Sequence, residues 1–193
     1  MLYNKGVMKK LFFILILSAL VLSCTSAQQQ QVSRHPAAAE ITFTFTRQSG
    51  SASNQYAVWI ENAQGQHVKT LYATRWTAAG GYRSRPSSIP IWVSIFNLAN
   101  ASRDQVDAVS GVTPGTNTVT YTWDGTDSRG ALVTNGDYTL VLEGTLRWEN
   151  QVLYRAPFRL GQGASTPQVS VQYTGDSAAE RGMIGGVTVK VHR

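Results

Sequence analysis

The sequence predicts an all-β antiparallel sandwich, and three observations carry that expectation. Hydrophobicity alternates with period two where the first ordered segment begins: Ile41, Phe43 and Phe45 interleave with Thr42, Thr44 and Thr46. With it, about eight short segments rich in Val, Thr and Tyr run along the chain, separated by Gly, Asn and Asp, a spacing that suits a sandwich with Greek-key character. Finally, removing an export signal of residues 1–23 from the 193 leaves 170, ample for one domain and thin for two.

The N-terminus supplies that signal. Lys5, Lys9 and Lys10 form a basic head, and Leu11 to Leu22 is apolar around Ser18-Ala19. Those twelve residues are too few to cross a bilayer core, which takes roughly 20 in a helix, so the run is a signal h-region. Val21-Leu22-Ser23-Cys24 has the form of a lipobox, with Cys24 as the acylated residue, and Met8 offers an alternative start. Cys24 is the one cysteine in the chain, which excludes an intramolecular disulfide and any cysteine-based metal site. Residues 24–39 are small and polar and read as a flexible tether, with the folded domain spanning 40–193.

Charge narrows the function classes. The signal holds three of the seventeen basic residues and none of the eleven acids, so the mature chain carries a net charge of +3. No Lys/Arg run with interleaved aromatics is present, so nucleic acid is not an expected partner.

Along the domain, Tyr56 to Ile60 is a densely apolar strand, expected to be central, and Ala63-Gln64-Gly65-Gln66 turns it into His67 to Ala73. Later strands are expected at Thr118–Trp123, Tyr138–Gly144, Val152–Leu160, Gln168–Tyr173 and Val187–Val191. Pro90 to Ala101 breaks the pattern: Ile91, Ile95 and Leu98 fall at helical spacing behind a first-turn proline, predicting one short inserted helix. Trp92 and Phe96 are expected to lock it onto the sheet.

Chemistry-bearing candidates are few. Arg75, Arg83 and Arg85 surround Trp76, Gly80-Gly81 and Tyr82; such a cluster serves either as phosphate contacts beside stacking aromatics or as a solvated basic surface. His35, His67 and His192 have no metal-ligand spacing on one element, no serine lies in a nucleophile-elbow sequence, and no catalytic residue is expected. Asp124 and Asp127 invite a calcium reading, but the twelfth loop position holds Asn135 where a bidentate Glu belongs.

Three resemblances add to this. Trp123-Asp124-Gly125-Thr126-Asp127-Ser128-Arg129-Gly130, followed by Gly136-Asp137-Tyr138, resembles the immunoglobulin-like domain of flagellar hook-capping proteins, which implies that sandwich fold. Asp107-Ala108-Val109-Ser110-Gly111-Val112-Thr113 resembles the acceptor motif of extracytoplasmic flavin transferases, which implies FMN on Thr113 through a phosphoester. Asp107, Ser110 and Gly111 would be the other motif residues; the same stretch also serves as a turn into the strand at Thr118. Together with Val58-Trp59-Ile60-Glu61, Val68-Lys69-Thr70-Leu71-Tyr72 and Arg75-Trp76, these strings are similar to the domain of unknown function 2271 family of periplasmic proteins, from about Ile41 to Leu160. That family resemblance implies company with flavin-transfer and membrane electron-transfer proteins and imports no enzymatic activity. The expectation is an exported cell-envelope lipoprotein, held to the membrane by its lipid, with a non-catalytic immunoglobulin-like binding or scaffold domain. The alternative is an electron-transfer protein carrying FMN on Thr113, with a flavin transferase and a membrane redox protein as partners.

Overall fold

A computed structural model describes residues 35–49, 54–147, 149–175 and 182–193. The signal 1–23, Cys24 and the tether as far as residue 34 lie outside the described residues.

Among the described residues, nine strands form two sheets. The small sheet has the order β5-β1-β9, from β1 (Ala39–Phe45), β5 (Asn117–Trp123) and β9 (Ile184–Val191). The large one has the order β4-β3-β2-β6-β7-β8, from β2 (Gln55–Asn62), β3 (His67–Thr74), β4 (Ser110–Gly111), β6 (Gly136–Arg147), β7 (Asn150–Leu160) and β8 (Ser170–Thr174). All pairings are antiparallel except β3 with β4. The architecture is the all-β sandwich that the alternation predicts. The first strand begins at Ala39, and Ala38 is already fully buried, so the folded unit takes in the last two residues assigned to the tether.

The period-two pattern is cashed out between the sheets. Ile41, Phe43 and Phe45 of β1 meet Tyr56, Val58 and Ile60 of β2, and Tyr138, Leu140 and Leu142 of β6, in one apolar core. Trp123 is buried there against Tyr138 at 5.3 Å and Phe158 at 6.0 Å. The other face of β2 explains why that strand is apolar at nearly every position. Ala57 and Trp59, with Ala73 and Val141, face a second core supplied by the segment between β3 and β4.

That segment corrects the expectation of one helix over Pro90–Ala101. It contains α1 (Arg75–Ala78), a 3-10 turn at Gly81–Arg83, α2 (Pro90–Ile95), a second 3-10 turn at Leu98–Asn100, and α3 (Arg103–Val109). Proline does open α2, but Asn97 turns into the left-handed region at φ 56° and ends it. Ser102 then starts α3 with a reciprocal capping box: its Oγ accepts from the Gln105 amide, and the Gln105 side chain accepts from the Ser102 amide. Burial also falls elsewhere than the Ile91–Ile95–Leu98 spacing suggests. Ile91 is 36% exposed, whereas Ile89, Trp92 and Leu98 fill the second core. Trp92 stacks on Phe96 at 5.0 Å, as expected of the pair that locks this layer down.

A buried carboxylate fastens the layer to the sheet. Glu143 of β6 accepts from the Ile91 and Trp92 amides at 3.1 and 2.8 Å, taking up two donors that the first turn of α2 leaves open. The Trp92 indole donates to Thr70 of β3 at 3.0 Å, and Thr70 is also bonded to His67.

Candidate functional site

The helical layer ends where the candidate motif begins. Asp107 and Val109 close α3, and Ser110–Gly111 then add β4 to the edge of the large sheet, parallel to β3. The register pairs Ala73 with Ser110 and Thr74 with Gly111. The pairing ends there: Arg75 opens α1 directly after β3, and Val112 and Thr113 follow directly after β4.

Gly111 is required here by Tyr72. A Cβ on Gly111 would lie 2.7 Å from Tyr72 Cε2, inside any tolerable contact, so the ring lies flat against bare backbone. The Tyr72 hydroxyl donates to the Val112 carbonyl at 2.7 Å and holds the chain as it leaves the sheet. Tyr72 is itself held, stacked on Tyr121 at 4.8 Å and beside Tyr56 at 5.1 Å. Burial raises the Tyr72 phenol above its ordinary pKa, which keeps it a donor at all ordinary pH. Val112 then projects into solvent, 84% exposed. Thr113 is half-buried, and its hydroxyl has no hydrogen-bond partner among the described residues. Ser110 Oγ is buried without a partner as well.

Beside this edge lies a cleft of about 330 Å³ between the α1 turn and α3. Arg103, Val106 and Asp107 line it from one face of α3, at helical spacing i, i+3 and i+4. Arg75, Tyr82 and Arg83 line it from the other side, with the Arg83 guanidinium 5.5 Å from the centre of the Tyr82 ring. Two of the three arginines named from the sequence therefore meet at the cleft. Arg85 does not line it: it is half-buried, with Nε and Nη2 inside the protein. Trp76 stands 48% exposed and covers Gly81, where a Cβ would fall 2.6 Å from its ring. Arg103 escaped the sequence reading because a lone arginine in an unassigned helix carries no signal until the fold brings it to Arg75 and Arg83.

A larger hollow of about 710 Å³ lies by the β2–β3 turn, but its charges are already matched. Glu61 bonds Arg155 at 2.7 Å, and Asp137 meets Arg159 at 3.2 Å. At the smaller cleft, by contrast, Arg75, Arg83 and Arg103 make no ion pair among the described residues, and Asp107 is the one acid lining it.

The aspartate loop serves the fold. Asp124 Oδ1 accepts from Lys69 at 3.0 Å and from the Thr126 amide and hydroxyl at 3.1 and 2.7 Å. Asp127 Oδ1 accepts from the Arg129 and Ala131 amides at 2.8 and 2.9 Å, and those bonds, the Ala131 one foremost, hold its carboxyl below the usual range. Both carboxylates thus satisfy the turn's own donors. His67 is packed against Phe96, and burial pushes its pKa down to about 4. His192 lies one residue past β9, 3.7 Å from Glu40.

A family model described as "Predicted periplasmic protein (DUF2271)" matches residues 38–178. The match opens on Ala38, the first buried residue of the sandwich, and takes in α3, β4 and the cleft. No curated protein and no solved structure matches the chain.

Proposed function

The chain belongs to the family of predicted periplasmic proteins (DUF2271), and from that premise we propose that it is an envelope lipoprotein carrying FMN on Thr113 as an electron carrier. Cys24 supplies the anchor, and a membrane redox protein is the partner. The observation that carries the reading is the state of the Asp107–Thr113 segment: its half-buried threonine has an unengaged hydroxyl, on the loop that leaves the sheet edge, near a cleft of unpaired arginines.

That arrangement fits what an acceptor site needs. A transferase must enclose a short stretch of chain around the hydroxyl. Val112 and Gly115 stand exposed on the loop to either side of Thr113. Attachment requires an activated donor, a flavin dinucleotide. The Thr113 oxygen attacks the FMN phosphorus, the phosphoanhydride bond to AMP breaks, AMP leaves, and the hydroxyl proton passes to base. Arg75 opens α1 at the end of β3, the strand paired with β4 ahead of Thr113, and in this reading its guanidinium pairs with the resulting phosphodiester. FMN then supplies reversible electron transfer, which no side chain of this protein offers, since its single thiol is assigned to lipid. The domain itself contributes binding and orientation and no catalytic residue.

Co-expression with a flavin transferase, followed by intact-mass measurement, tests this. One FMN adduct is expected on the wild type and none on Thr113→Ala, with in-gel flavin fluorescence following the same pattern. A wild type without the adduct, or an adduct that survives Thr113→Ala, sinks the proposal. The domain would then return to a binding or scaffold module on a lipid tether.

A further inference from the structure

The cleft between the α1 turn and α3 has a composition that Thr113 alone does not explain. Its lining combines Leu98, Val106 and Tyr82 with the cations Arg75, Arg83 and Arg103. Three cations of one sign around a single hollow repel one another, and with Asp107 as the one acid they are not neutralised within the protein. A volume of about 330 Å³ suits a small molecule, at the lower end of the usual roughly 300–1,000 Å³. Apolar and aromatic side chains interspersed with cations suit a flat ring that bears, or acquires, negative charge. Arginine also stacks on such rings, as Arg83 already does on Tyr82.

We propose that this cleft seats the isoalloxazine ring of FMN, with Arg83 and Arg103 facing the ring and Arg75 facing the phosphate. The proposal rests on the Thr113 reading for the origin of the FMN, and it adds a site that the acceptor motif does not contain. The connection is short: α3 lines the cleft with Arg103, Val106 and Asp107 and leads through the two residues of β4 to the Thr113 loop. Asp107, the cleft residue nearest to Thr113 in sequence, stands six residues before it, a stretch that spans at most about 20 Å. The seat has a functional consequence. The ring gains negative charge on reduction, so flanking guanidinium groups stabilise the reduced form and raise its midpoint potential.

Two measurements test the seat. Full-length Thr113→Ala protein, which cannot carry a phosphoester at that position, is titrated with free FMN while flavin fluorescence is followed. Saturable quenching is expected, weakened tenfold or more by Arg83→Gln/Arg103→Gln and weakened by salt. Both arginines are exposed, so the substitutions leave the fold intact, which circular dichroism checks. Riboflavin and inorganic phosphate, titrated separately, divide the affinity between ring and phosphate, and ring binding without the phosphate is required. In flavinylated protein the same double variant is expected to keep its full adduct mass and to shift the midpoint potential negative. No saturable quenching up to about 1 mM FMN, or quenching indifferent to the two arginines, overturns the seat. A flat titration alongside an intact adduct removes the cleft and leaves the attachment. Saturable binding without any adduct does the reverse.

Discussion

At the scale of single residues, the edge at β4 depends on one glycine, and the reason is a ring thirty-nine residues away in sequence. Sequence reading picks out Gly111 as a motif residue; the steric partner that demands it, Tyr72, becomes visible once β3 and β4 are paired in parallel. A methyl group at position 111 would stand 2.7 Å from Tyr72 Cε2. The ring cannot simply swing aside, because Tyr121 and Tyr56 pack against it and its hydroxyl holds the Val112 carbonyl. Gly111→Ala should therefore displace β4 and destabilise the domain by about 1–3 kcal/mol, the usual range for overpacking. Tyr72→Phe, which keeps the ring and drops the hydrogen bond, should cost about 1 kcal/mol. Urea unfolding of the two variants checks this ordering, and a Gly111→Ala protein as stable as wild type would mean that the ring does not hold the edge. The Arg75–Arg83–Arg103 grouping was half legible for the same kind of reason. Arg75 and Arg83 are close in sequence and flank aromatics, while Arg103 reaches them only through the turn at Asn97 and the capping box at Ser102.

At the scale of elements, the strands were legible because alternation is a direct print of a sheet with one buried face, as Ile41 to Phe45 shows. The helical layer was not, because its α-helices run four, six and seven residues and bury aromatics at irregular intervals, too short for a 3.6-residue period to register. Its clearest trace in the sequence is an acid in an apolar strand: Leu140-Val141-Leu142-Glu143 makes sense once α2 sits on Glu143. Burial raises the Glu143 pKa to about 7 against the pull of the Trp92 and Ile91 amides, and burial lowers that of His67 to about 4. The signs oppose. Glu143 binds its proton more tightly in the folded state, so its contribution is full below about pH 4.5 and is lost as pH rises through 7. His67 binds its proton more weakly when folded, so its contribution is full above about pH 6.5 and is lost as pH falls through 4. Between those ordinary values the two slopes cancel, and wild-type stability should be nearly level there. Glu143→Gln unmasks His67: relative to wild type, the variant should gain stability from pH 4.5 to 7, by up to about 3 kcal/mol. Urea midpoints against pH measure the difference, and parallel curves for the two proteins would show that Glu143 does not titrate in that window.

At the scale of the whole molecule, the folded unit from residue 35 onward has three layers: a small sheet, a large sheet and the short helices. This layering sets where function can sit. Both faces of β2 are covered, so the chemistry is pushed to an edge, and β4, only two residues long, is an edge at which the chain comes free almost at once. On the proposed reading, a carrier with its cofactor on such an edge has to bring that edge to a membrane partner, and a lipid on Cys24, with the polar residues after it, would provide the approach. The proposed anchor is separable from the fold: Cys24 is the single thiol, so the sandwich holds no disulfide, and its two cores are built from residues 38 onward. Cys24→Ser should therefore move the protein from the membrane fraction to the soluble one, abolish the acyl mass, and leave the melting temperature of the domain and the FMN adduct on Thr113 unchanged. Electron delivery from membranes should slow in the same variant, because a tethered domain sees its partner at a far higher effective concentration than a free one at equal expression. Detergent phase partitioning and flavin reduction by isolated membranes measure the two effects. A Cys24→Ser protein that still partitions with detergent would overturn the anchor, whereas one that is released yet reduced at the wild-type rate would show that tethering is not what brings the flavin to its donor.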